Sequence, residues 1–158
     1  KVRGLSWMDH EFGSNQLGQD QVGWDWFSIQ LDDRRELMLY LMRRKDGTVD
    51  PYSSGTLVKA DGSTQHLKLN EYRVEVLARW RSPASGADYP MRWRVTIPAE
   101  QIELEINPAF QNQELITNRS TRVTYWEGAV DVAGTARGKG ISGAGYVEMT
   151  GYAGKLSL

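Results

Sequence analysis

The chain has no cysteine, which excludes disulfides and thiolate metal sites. That absence does not select a compartment, because many periplasmic proteins also lack cysteine. No apolar run approaches the ~18 residues needed to cross a membrane as a helix. Neither charge sign is in excess: 19 basic and 20 acidic residues leave a formal net charge of −1. Neither sign gathers in long blocks, which argues against charge-driven binding of nucleic acid or a membrane surface. Histidine is scarce, with only His10 and His66. No His-Glu-x-x-His or comparable spacing occurs, so no metal site is expected. There is no P-loop and no Gly-x-Ser-x-Gly elbow, and no cofactor is expected. Gly138-Lys139-Gly140 follows no βα unit and reads as a tight turn. No signal peptide is visible. The chain begins at Lys1 rather than at methionine, as expected of a fragment or a processed product.

What is abundant is aromatic: six tryptophans and seven tyrosines in 158 residues. That length suffices for one domain, residues 1–158, with a real core. Period-two alternation dominates, and no long amphipathic helix stands out. Tyr72, Val74, Val76, Ala78 and Trp80 alternate with Arg73, Glu75, Leu77, Arg79 and Arg81. Met91, Trp93, Val95 and Ile97 alternate with arginine and threonine, and Ile102, Leu104 and Ile106 with glutamate. Each pattern offers one face to a core and one to water, as in antiparallel sheet. Val74, Val76, Trp93, Val95, Leu104 and Ile106 are the expected core, with Arg73, Glu75, Arg92 and Glu103 outside.

Residues 22–31 and 37–42 are apolar on both faces, which predicts a cover over some outward side chains. Asp46-Gly47 and Asp61-Gly62 are hairpin turns. Residues 82–90 read as an irregular connection, and Asn107-Pro108 as a strand end. About nine or ten short strands at this spacing predict an all-β fold, an antiparallel up-and-down barrel with little helix. Glycines in the final third would relieve crowding where late strands bend.

Candidate chemistry begins at residues 4–14. Side chains alternate along a strand, so Trp7, Asp9 and Glu11 share one face and Met8, His10 and Phe12 the other. Asp9 and Glu11 form an acid and base pair if burial separates their pKa values. The bland alternative, which is favoured, has them accepting hydrogen bonds from indoles or pairing with arginines. His10 is either a proton shuttle or, preferably, a packed neutral ring. Asp25 lies on an apolar face and must find a donor, or its pKa rises. It reads first as a buried anchor, then as a general acid. Glu127 and Glu148 read first as structural acceptors. Trp7, Trp24, Trp26, Tyr40 and Trp126 are the aromatic candidates for holding a ligand.

Five stretches in fixed order carry a family resemblance: WMDHEFGS at 7–14, GWDWFSIQL at 23–31, LMLYLMRRKDG at 37–47, YWEGAV at 125–130 and GYVEMTGY at 145–152. Together they resemble the C-terminal lipocalin-like half of the AttH/CrtC-type proteins. That group includes secreted hydrolase-like lipoproteins, attachment-associated AttH proteins, carotenoid hydratases (hydroxyneurosporene synthases) and more distant fungal pericyclases. The resemblance implies a lipocalin-like, calycin-type barrel that is the second half of a two-domain protein. It also implies an apolar site in or between the domains, and a location outside the cytoplasm, periplasmic or lipid-anchored. It carries Trp7, Asp9, His10 and Glu11 over as a candidate cluster. One departure is the hairpin Asp32-Asp33-Arg34-Arg35, where such proteins often have glycine.

Three functions fit these residues. The leading one is a module binding a hydrophobic small molecule, partnered by an N-terminal sister domain or another subunit. The second is a hydratase or isomerase in which Asp9 or Glu11 protonates a double bond of a lipid-like or isoprenoid substrate. There Trp24 or Trp26 would stabilise the cation. The third is a structural interaction domain with a barrel filled by side chains.

Overall fold

Alternation becomes strand almost wherever the sequence shows it. The computed structural model describes residues 1–4, 8, 17–120 and 122–154. Its strands are β1 (Gln21–Leu31), β2 (Glu36–Arg44), β3 (Ser54–Val58), β4 (Thr64–Lys68), β5 (Arg73–Val76), β6 (Arg79–Arg81), β7 (Asp88–Pro90), β8 (Trp93–Ile97), β9 (Ile102–Pro108), β10 (Glu114–Ile116), β11 (Thr124–Ala136) and β12 (Lys139–Thr150). Helix among the described residues is confined to the 3-10 turns Leu69–Glu71 and Pro98–Glu100.

One antiparallel sheet holds ten of these strands, in the order β4-β3-β2-β1-β12-β11-β9-β8-β5, with β10 added to β11. The first of these strands pairs with the last, so the order is that of an up-and-down meander opened between β4 and β5. The result is a lipocalin-like all-β fold in the form of a curled, open sheet. Its ends are β4 and β5, and no ladder joins them among the described residues. Tyr72 pins this seam instead. Its buried hydroxyl lies 3.2 Å from the carbonyl oxygens of both Tyr40 and Ser54, in β2 and β3.

Curling brings neighbouring backbones close at β11 and β12. A Cβ on Gly134 would collide with the Glu103 carbonyl oxygen, and one on Gly145 would stand 2.5 Å from that of Ser28. Only glycine tolerates such an approach. The turns follow the chemistry of their residues. Asp46 and Asp61 each accept a backbone N–H two residues on, from Thr48 and Ser63 at 2.9 Å. Gly47 and Gly62 supply the positive φ. The first hairpin departs from this. Arg34 stands at φ 68°, in the left-handed region that costs a side-chain-bearing residue roughly 1–2 kcal/mol. Arg34→Gly is therefore expected to raise stability by about 0.5–1 kcal/mol, read from the midpoint of urea unfolding. A lowered midpoint would mean that the arginine side chain outweighs the backbone relief.

The predicted strand at 72–81 is two strands. The ladder is interrupted at Leu77 and Ala78, and β6 then pairs with β7 in the register that β5 and β8 share, with the Leu77 N–H donating to the Arg92 carbonyl at 2.7 Å and the Met91 N–H to that of Ala78 at 2.8 Å. The irregular connection predicted at 82–90 thus supplies β7. Val76 sits on β5, the edge strand of the sheet, and is 43% exposed, not in the core. Val74 is half-buried against the core. Trp93, Val95, Leu104 and Ile106 are buried, and Arg73, Glu75, Arg92 and Glu103 are exposed, as expected.

The inward faces of β1, β2, β8, β9, β11 and β12 fill the interior with side chains. Phe27 meets Trp93 edge-on at 5.6 Å, and Trp93 meets Trp126 at 6.3 Å. Among the described residues the Trp93 indole N–H is buried there without an acceptor.

Candidate functional site

Period two in β1 places Asp25, Phe27, Ile29 and Leu31 inside and Trp24, Trp26, Ser28 and Gln30 outside. Pairing then decides what surrounds those outward side chains. Trp26 lies opposite Tyr40 on β2 and opposite Glu148 on β12, and Trp24 lies opposite Met42. Ser28 stands between Met38 and Tyr146 and is buried although it is on the outer face. Across the next ladder Glu127 faces Glu148, and Ala129 faces Tyr146. A band of indole, phenol and thioether groups thus surrounds a cross-strand pair of carboxylates. Trp24, Trp26, Met38, Tyr40, Met42, Tyr146, Glu127 and Glu148 are all half-buried.

The glutamates are tied into the band. The Trp24 indole N–H donates to Glu148 at 2.6 Å, and the Tyr146 hydroxyl donates to Glu127 at 3.3 Å. The Tyr40 hydroxyl accepts from Ser54 at 3.0 Å. Like charges directly opposite one another weaken a sheet. A pair placed among tryptophans is therefore unlike the outer face at β5, β8 and β9, where Arg92 meets Glu105 and Arg94 meets Glu75.

Trp24, Trp26 and Tyr40 share this outer face. Trp126 does not. It is fully buried inside, and its N–H donates to the Gln111 carbonyl at 2.7 Å. There it pins the segment leading to β10. Trp7, Asp9, His10 and Glu11 lie outside the described residues. His66 is exposed on β4.

Asp25 is the buried anchor. Its carboxylate accepts from Arg43 Nε at 3.1 Å and from the Tyr152 hydroxyl at 3.0 Å. The Arg43 guanidinium stacks 3.8 Å over the Tyr152 ring and also donates to the Thr150 carbonyl. Burial pushes the Asp25 carboxyl above its ordinary value, while Arg43 and Tyr152 pull it back. Burial likewise raises the Tyr152 phenol. Tyr152 continues into a column of rings, packing on Tyr89 at 5.3 Å, which stacks on Trp80 at 6.1 Å. This network clamps the β6–β7 ribbon and the end of β12 to β1 and β2. Among the described residues, no group of three His, Cys, Asp or Glu side chains is placed to hold a metal ion.

The carboxylate pair was within reach of the sequence. Arg137 and Gly138 both have positive φ, 51° and 74°, and Ala136 pairs with Lys139. A two-residue turn of this kind fixes the register of the whole hairpin. Counting back from it sets Glu127 against Glu148. Reading each glutamate separately missed the pair.

Comparison with known proteins agrees with this architecture. A solved structure of a provisionally assigned AttH from Nitrosomonas europaea is 35% identical, with a TM-score of 0.77, over 88% of this chain and 41% of that one. Kievitone hydratase from Nectria haematococca is 20% identical, with a TM-score of 0.67, over 85% of this chain and 40% of that one. At that identity the likeness carries the fold alone. The chain spans about two fifths of the length of both proteins. No curated protein matches it. The AttH-like family model matches residues 1–152, so the chain belongs to the AttH-like family.

Proposed function

We propose that this lipocalin-like module holds a hydrophobic small molecule against the outer face of β2, β1, β12 and β11. The carrying observation is the concentration of Trp24, Trp26, Tyr40, Met38, Met42 and Tyr146 on that face. The interior, by contrast, is packed with aliphatic and aromatic side chains. Ligand sites are mostly apolar, with a few placed polar groups. Here Glu127, Glu148 and the Tyr40 hydroxyl supply the polar groups. A sister domain or second subunit covers the face in this reading. That fits a chain spanning two fifths of its structural neighbours. The extracytoplasmic location implied by the family resemblance belongs to the same proposal, and fractionation of source cells tests it.

Titration with the neutral dye Nile red tests the face. Trp26→Ala removes apolar contact worth about 1–2 kcal/mol, so affinity should fall roughly tenfold. Val132→Ala, inside the barrel, should leave affinity unchanged in the folded fraction. The reverse pattern would move the ligand inside.

The carboxylate pair favours a second reading, a hydratase or isomerase of an unsaturated lipid-like or isoprenoid substrate. A carboxylic acid would protonate a double bond, and the Trp24 and Trp26 ring faces would stabilise the cation. Glu127 and Glu148 join Asp9, His10 and Glu11 as candidates. Glu148→Gln still accepts the Trp24 N–H, so the fold should survive. Turnover lost in a stable Glu148→Gln protein supports the acid. Unchanged turnover removes Glu148 from the mechanism.

A further inference from the structure

A cleft of about 640 Å³ opens at one end of the barrel, where four turns meet. Its rim comes from the β1–β2 turn, the end of β3, the 3-10 turn Pro98–Glu100 and the β11–β12 turn. Leu57, Ala136 and Ile141, all buried core residues, form an apolar wall. The rim is charged, and its acids are already engaged. Asp33 holds Arg35 at 2.6 Å, and Glu100 holds Arg137 at 2.9 Å. Asp32 accepts the Ser142 backbone N–H at 3.1 Å and the Ser142 hydroxyl at 2.5 Å. Asp61, just beyond Ala60, is engaged by Ser63 at 2.9 and 2.7 Å. Lys59 and Lys139 are the cleft cations with no ion pair among the described residues.

The geometry points to a second ligand site, one for a small organic carboxylate. Its anion sits with Lys59 and Lys139, and its short apolar body lies against Leu57 and Ile141. Asp33 and Glu100 are paired with Arg35 and Arg137, and although Asp32 keeps its charge on Ser142, the lining holds four cations against three anions. The two lysines gain a counter-ion, and the wall loses contact with water. The paired hairpin turns keep the site formed without ligand. It is separate from the outer-face site, so its failure would leave that reading untouched.

Fluorine NMR of this chain with para-trifluoromethylbenzoate tests the site, with para-trifluoromethylbenzamide as the neutral control. Saturable benzoate binding is expected, with shifts of the Ala60 and Gly140 backbone amides. The doubly substituted Lys59→Gln, Lys139→Gln protein, altered only at exposed side chains, should bind it about fivefold to tenfold more weakly. The benzamide should be weaker by a similar factor. Three results overturn the proposal: no saturable binding, equal affinity for the amide or for the double variant, or complete displacement by equimolar inorganic phosphate. The last would mark a bare anion site with no part for the apolar wall.

Discussion

Arg43→Met is expected to destabilise the protein by about 3–5 kcal/mol and to lower its melting temperature by roughly 10 °C or more. Arg43 and Asp25 form an ion pair whose side chains are 20% and 10% exposed. Deleting the cation leaves a carboxylate that cannot reach water. It also removes the guanidinium from the Tyr152 ring and from the Thr150 carbonyl. Asp25→Asn should cost less, about 1–2 kcal/mol. The amide fills the same space, and the more exposed arginine keeps its other contacts.

The pH dependence has a definite sign. Burial raises the Asp25 carboxyl in the fold. A group raised on folding contributes stability in full below its unfolded value, about 3.9 for aspartate. That contribution is lost as pH rises through the raised folded value. Without Arg43 the folded value rises further. The Arg43→Met deficit should therefore be largest near neutral pH and shrink on acidification, as followed by urea unfolding across that range. A deficit independent of pH, or an Asp25→Asn protein less stable than Arg43→Met, would contradict this account of the pair.

Leu104→Ala should cost about 2–5 kcal/mol, whereas Val76→Ala should cost well under 1 kcal/mol. Both residues alternate with charged neighbours, and on pattern alone both belong to the core. Leu104 sits mid-sheet opposite Val95 on one side and Gly134 on the other, with no exposure. Truncating it leaves a cavity that glycine cannot close. Val76 lies at the end of the edge strand β5, and 43% of its surface is already in water. Equal losses in the two variants would put Val76 back inside and refute the end of β5 described here.

That pair of residues shows where sequence patterning stops. Alternation reports which side chains share a face, so β1, β2, β8, β9, β11 and β12 are legible from residues such as Val95, Ile97 and Val130. It does not report which strand ends the sheet. No proline or glycine stands between Val76 and Arg79, and the hairpin pairing runs on in one register into β6 and β7; that β5 is the edge strand is set by the sheet order. The same limit applied to the aromatics. Trp24 and Trp26 share a face by period two, and Tyr40 joins them once the hairpin turn sets the β1–β2 register. Trp126 is the neighbour of Glu127 on β11, so period two points it to the opposite side of the sheet. Asp25 was readable as a buried group in need of a donor. Its donors, Arg43 and Tyr152, come from distant parts of the chain that only the folded sheet brings together.

Indole N–H resonances report on the proposed ligand face most directly. With nitrogen-15-labelled protein and a neutral terpenoid ketone such as β-ionone, the signals of Trp24 and Trp26 should shift in a saturable way, while those of Trp93 and Trp126 stay in place. Shifts at Trp93 and Trp126 with Trp24 and Trp26 unmoved would put the ligand inside the barrel and contradict the outer-face site.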